Sequence, residues 1–228
     1  EVDIVASPSE EDFQAQLQLF EDMLNRDYKG FGFAPLSPVN LVNPAAAAYK
    51  KGKPIVNIDE KVDMKALEAA GANVEAFVTT DNVKVGEKGA KFIIDQLGAE
   101  GGEVAIVEGK AGNASGQARH DGAKAAFEAT SNVKLVASQP ADWDRLKALD
   151  VATNILQGSP DLKAFYCAND TMALGVMQAV QNAGKAGKVL VVGTDGAPEA
   201  REMVAAGRLT ATVAQDPGQI GATSLELL

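Results

Sequence analysis

Cysteine and histidine are almost missing from this 228-residue chain, which has one of each. A single cysteine, Cys167, excludes an internal disulfide. It lies inside the apolar run KAFYCA, where a free thiol behaves as a small buried hydrophobe. A single histidine, His120, excludes a multi-histidine metal centre and leaves one combination for a Cys–His nucleophile pair. Basic residues are in deficit: 21 Lys and Arg face 31 Asp and Glu, a net charge of −10. That balance argues against tracking a nucleic-acid backbone, which needs clustered cations; solubility is its simplest reading. No apolar run approaches the roughly 20 residues of a membrane span, and no signal peptide is visible. The opening EVDIVAS reads as a strand already under way, so a segment is expected upstream of it.

What is present is a regular alternation. Short apolar runs rich in Val and Ile alternate with amphipathic stretches, the pattern of parallel strands covered by helices on both faces. In the first amphipathic stretch Phe13, Leu17, Phe20 and Leu24 fall at helical spacing. Ser9 and Asp12 just ahead of them resemble a helix start. The runs VDIVA, GFGFAP, PIVNI, EAFVT, EVAIVEG, VKLVAS, KAFYCA, KVLVVG and TATVA give about nine strands, many for one sheet. Two lobes joined by short crossings are expected, with crossings between 78 and 82 and between 214 and 217. The resulting division is 1–80, with 215–228 returning to it, and 81–214.

Polar side chains stand where the runs end: Asp59 and Glu60 after PIVNI, Arg119 beyond the loop after VAIVEG, Asn169 and Asp170 after KAFYCA, Asp195 after VLVVG, and Gln215 after TATVA. In an open parallel sheet the carboxyl ends of the strands form the ligand-binding edge. Carboxylates accept from paired hydroxyls, carboxamides both donate and accept, and guanidinium donates in a rigid fork. This mixture suits a ligand covered in hydroxyl groups. Trp143, the only tryptophan, offers a ring face for the C–H face of a sugar. Each residue also has a plain structural reading. Asp170 reads first as the N-cap of the next helix. Asp195 with Gly196 reads as a turn, Trp143 as core, Glu60 as solvated, and Asp144 with Arg145 as an exposed pair at a helix start.

The glycine-rich EGKAGNASGQARHDG opens a helix after a strand but has neither a dinucleotide nor a P-loop glycine order. No cofactor, metal or catalytic residue is expected. Asp59 and Asp195 could in principle act as a carboxylate pair on a glycosidic bond, but no nucleophile accompanies them.

The motifs FVTTDNVKVG, LVASQPADWDR, YCANDTMALG, VVGTDG and TVAQDPGQIG, in this order, resemble the periplasmic sugar-binding proteins of bacterial ABC importers, in the group of ribose and allose binders. NIDEK, with Glu60 where ribose binders typically have Arg, and QPADW, with Trp where they typically have Phe, resemble the allose-binding branch. The resemblance implies a type I periplasmic binding protein: an α/β chain of two Rossmann-like lobes joined by a hinge and closing on one monosaccharide. It implies a periplasmic monomer that delivers its sugar to a membrane permease, with a chemoreceptor as a further partner and no nucleic acid. The family's sugar-binding positions fall on Asp59, Glu60, Arg119, Trp143, Asn169, Asp195 and Gln215. Against the family pattern, the N-terminal strand and helix and the C-terminal end are lacking. GFGFAP would then border a gap, and these residues alone would bind sugar poorly. The effector domain of a sugar-responsive repressor of the LacI type shares the fold and is the alternative reading.

Overall fold

The computed structural model describes residues 1–228. The chain forms two compact units, Glu1–Thr80 with Asp216–Leu228, and Asp81–Gln215. It therefore passes from one to the other at Thr80–Asp81 and again at Gln215–Asp216.

The first unit holds a three-stranded parallel sheet in the order β1 (Phe31–Phe33), β2 (Ile55–Ile58), β3 (Ala76–Val78). Its helices are α1 (Phe13–Met23), α2 (Val42–Lys50), α3 (Met64–Ala69) and α9 (Pro217–Glu226). Asp12 caps α1 by accepting from the Ala15 N–H at 2.9 Å. Phe20 then packs between Phe31 and Phe33, with ring centroids 5.6 and 5.7 Å away. The opening VDIVA is not a strand. Residues 1–6 are exposed outside any sheet, and Ile4 is 89% exposed. An apolar run becomes a strand only when a neighbour completes its hydrogen-bond ladder, and β1 pairs with β2 alone. The sequence expectation of nine strands becomes eight for this reason.

The second unit is a doubly wound sheet. Its elements alternate as α4 (Asn82–Leu97), β4 (Gly102–Glu108), α5 (Ala114–Glu128), β5 (Val133–Pro140), α6 (Arg145–Gly158), β6 (Leu162–Cys167), α7 (Asp170–Asn182), β7 (Leu190–Asp195), α8 (Pro198–Ala205) and β8 (Ala211–Ala214). The strands are all parallel in the order β5-β4-β6-β7-β8. Alternate strand residues feed two cores. Ala105, Val107, Phe165, Cys167 and Val191 pack beneath α6 and α7, while Val104, Ile106, Tyr166 and Val192 pack beneath α4 and α5. Burial on both faces explains why these runs lack polar alternation. The strand order reverses between β4 and β6, and ligands of such sheets bind in the crevice at that reversal.

Asx side chains start four of the five α-helices of this unit, α8 being the exception. Asp81, Asn113, Asp144 and Asn169 accept from the N–H three residues on, at Lys84, Gly116, Lys147 and Met172. The cap of α7 is thus Asn169 and not Asp170, which is the first helical residue and points inward. Arg145 is not merely solvated: it makes a two-pronged ion pair with Glu199, at 3.0 and 2.6 Å.

Candidate functional site

At the carboxyl edge of the second unit's sheet, Arg119, Asp195 and Gln215 come together. Arg119 lies on α5, two turns beyond its Asn113 cap, and its side chain is 7% exposed. Its guanidinium donates from Nε to Asn82 Oδ1 at 2.8 Å and from Nη1 to the Ala168 carbonyl at 2.8 Å. Nη1 also lies 3.1 Å from Asp195 Oδ1. Gln215 Nε2 donates to the same Asp195 oxygen at 2.7 Å. Both bonds fall on Oδ1, so the second carboxylate oxygen can accept from a hydroxyl. Asp195 is far more open than Arg119, with its side chain 34% exposed. Burial raises its pKa, opposed by Arg119 and Gln215 and reinforced by the neighbouring Asp170.

Two glycines bring α4 and α5 close enough for this. A Cβ on Gly86 would fall 1.9 Å from the Arg119 carbonyl oxygen, and one on Gly122 would fall 2.0 Å from that of Val83. The backbones therefore touch, and Asn82 at the start of α4 reaches Arg119.

Trp143 precedes α6 with φ of 63°, next to Asp142 at 53°. Positive φ is a genuine outlier for so bulky a residue. Its six-membered ring lies against Gly109, the first residue after β4, and against Gly116, one turn before Arg119 on α5. A Cβ on Gly109 would sit 2.1 Å from Cη2, and one on Gly116 2.9 Å from Cζ2. The indole is only partly buried and also touches the core beneath α6. The core reading therefore describes one part of this side chain, and the rest is open. Asn169 spends its Oδ1 on the Met172 N–H, at 2.8 Å, and its amide nitrogen can still donate. It follows Ala168 directly, so it too stands beside Arg119.

Asp59 and Glu60 belong to the first unit. Asp59 follows β2 directly, with φ of 59°. Its N–H donates to the Val78 carbonyl at 2.8 Å, and its carbonyl accepts from the Thr79 hydroxyl at 2.9 Å. Buried Asn57 folds the turn that follows. It donates to the Glu60 carbonyl at 2.7 Å and accepts from the Val62 N–H at 2.9 Å. Both acidic side chains are half-buried.

Burial pushes the Cys167 thiol far above its ordinary pKa, which disfavours the thiolate needed for attack. No group of three or more His, Cys, Asp or Glu side chains is placed to hold a metal ion. The sequence reading missed Asn82 and misassigned Asp170. A signal was available: DN at 81–82 and ND at 169–170 are doubled Asx residues at helix starts. One member suffices as the cap, and the other has a different task.

Comparison with known proteins agrees with this architecture. All 228 residues match the family described as periplasmic binding protein domain. The chain belongs to the periplasmic binding protein family. It is 73% identical over 227 residues to the D-allose-binding periplasmic protein of Escherichia coli K12, covering all of this chain and 73% of that one. It is 35% identical to the ribose import binding protein of Haemophilus influenzae, over 96% of this chain and 71% of that one. Among solved structures, an ABC transporter periplasmic solute-binding protein from Actinobacillus succinogenes with bound D-allose superimposes with a TM-score of 0.88 at 38% identity. That match covers 94% of this chain and 75% of the other. These periplasmic binding proteins are solute binders, and neither the enzyme reading nor the repressor reading draws support from them.

Proposed function

We propose that this periplasmic binding protein binds D-allose, or a hexose with a similar hydroxyl pattern, in the periplasm and delivers it unchanged to the membrane permease of an ABC importer. The observation that carries the reading is the Arg119–Asp195–Gln215 cluster at the carboxyl edge of the second unit's sheet, in a chain 73% identical to an allose binder. Asp195 accepts from sugar hydroxyls through its outer oxygen, and Arg119 and Gln215 hold that carboxylate while donating to the ligand. Asn169 donates from its amide, and Trp143 covers an apolar sugar face. Asp59 and Glu60 serve as acceptors from the first unit. Charge-assisted bonds to hydroxyls bring selectivity as well as affinity, because an analogue lacking one hydroxyl leaves a buried polar group unpaired. In this reading the protein works as a monomer, and a chemoreceptor is a second partner for the loaded form.

The test is calorimetric titration of the full-length protein with aldohexoses, ketohexoses and pentoses, followed in parallel by Trp143 fluorescence. Saturable one-to-one binding strongest for D-allose, with a change in Trp emission, is expected. A folded protein that binds none of these sugars would refute the reading.

A further inference from the structure

Asp170 has no part in the sugar contacts just described, yet it is 2% exposed and fully engaged. Its Oδ2 accepts from the Ala197 N–H at 2.7 Å and its Oδ1 from the Thr212 hydroxyl at 2.7 Å. Thr212 Oγ1 in turn accepts from the Gly196 N–H at 3.1 Å. One carboxylate thus ties the start of α7 to the turn after β7 and to β8. Those same three segments carry Asn169, Asp195 and Gln215. Space for the tie exists because residue 193 is glycine: a Cβ there would fall 2.2 Å from Asp170 Oδ1. The turn it holds is an unusual one. Asp195 has φ of 112°, a setting that a non-glycine residue keeps only where its surroundings enforce it, and Gly196 follows at 74°, which glycine adopts freely. A buried carboxylate is costly unless hydrogen-bonded, and with two donors it becomes a strong, directional anchor.

We infer that Asp170 is a positioning residue for the sugar site: through Ala197 and Thr212 it fixes Asp195 and Gln215 relative to Asn169, without touching the sugar. This rests on the sugar-binding reading above. It assigns Thr212, on an edge strand of the sheet, a part in affinity although it is not among the proposed sugar contacts.

The test uses Asp170→Asn, Thr212→Val and Thr212→Ser, with D-allose titration and amide NMR spectra of the ligand-free protein. Thr212→Val keeps the shape and removes the hydroxyl, whereas Thr212→Ser keeps the hydroxyl. Thr212→Val is expected to bind D-allose about tenfold more weakly or worse, the scale of one lost hydrogen bond to a charged group. Thr212→Ser should recover wild-type affinity to within about twofold. The amide signals of Gly196, Ala197 and Gln215 should move in Thr212→Val and in Asp170→Asn, and stay in place in Thr212→Ser. A purely structural role would lower the melting temperature without this rescue pattern in affinity. If the wild type binds and folded Thr212→Val binds equally well, the positioning role is overturned and the sugar reading stands. If the wild type binds no sugar, both fall. Should Asp170→Asn fail to fold, the Thr212 pair decides alone.

Discussion

Replacing Gly86 by alanine tests the link between helix packing and ligand geometry. In an ordinary helix interior this change is favourable by up to about 1 kcal/mol, because alanine restricts the unfolded chain. Gly86 is not an ordinary position. Its Cβ would lie 1.9 Å from the Arg119 carbonyl oxygen, 2.7 Å from the Arg119 carbonyl carbon and 3.0 Å from the Ala123 nitrogen. All three are backbone atoms, so no side chain can rotate away. The helices must part by roughly 1 Å, and overpacking of this kind costs about 1–3 kcal/mol. The displaced segment is the one that carries Arg119. Its 2.8 Å bond to Asn82 and its 3.1 Å contact with Asp195 would stretch beyond hydrogen-bond range. Gly86→Ala should therefore lower stability by about 1–3 kcal/mol in urea unfolding. It should weaken D-allose by about tenfold or more in calorimetry. Gly221→Ala is the control: no atom lies within 4 Å of its Cβ in α9, and it should be neutral or stabilising with unchanged affinity. A Gly86→Ala protein with wild-type stability and wild-type affinity would refute the argument that the α4–α5 contact sets Arg119.

Two further outcomes follow from the same geometry. Burial raises the pKa of Asp195 above its ordinary 3.8, so the folded protein holds this proton to higher pH than the unfolded chain does. Its contribution to ligand-free stability then falls as pH rises from 3.8 through the raised value, whereas D-allose affinity, which needs the ionised acceptor, rises over the same interval. Comparing wild type with Asp195→Asn in thermal unfolding and calorimetry across that interval isolates the group, and parallel pH trends in the two observables would contradict it. Gly109→Ala places a Cβ 2.1 Å from Trp143 Cη2, so the indole must shift. The Trp emission should change in the ligand-free protein and D-allose should weaken by about tenfold, while unchanged emission and affinity would show that the ring is not seated there.

The fold was legible because its signal is repeated and local. Val- and Ile-rich runs alternating with amphipathic stretches point to buried parallel strands, and polar residues at the run ends mark the carboxyl edge. VDIVA carries the same local signal and forms no strand, because a strand also needs a partner, and the partner is not written in its own residues. Asn169 and Asp170 show a second limit. Either can cap a helix, and a shift of one residue decides which caps and which turns inward to hold Ala197 and Thr212. Asn82 shows a third. Its role depends on the close approach of α4 and α5, which is set by Gly86 and Gly122 and becomes visible only when the two helices are seen together.

Backbone strain connects these observations. The four non-glycine residues with positive φ are Asp59, Asp142, Trp143 and Asp195, and three of them are proposed sugar ligands. Each left-handed setting costs on the order of 1–3 kcal/mol, least for Asp, whose short polar side chain tolerates it, and most for Trp. In a regular strand successive side chains alternate between the two buried faces of the sheet. A residue meant to face a ligand beyond the strand end has to leave that alternation, and a positive φ at or after the last strand residue does so within one step. Asp59 and Asp195, each the carboxylate that ends or follows its strand, are tied down at just these points: Asp59 by Val78 and Thr79, Asp195 by Arg119 and Gln215. The strain is tolerable because those ties over-determine the geometry: they fix the backbone at Asp59 and the carboxylate at Asp195 before any sugar arrives. Preorganisation of this kind lowers the ordering cost of binding, which is how so few side chains can hold a small, heavily hydrated ligand.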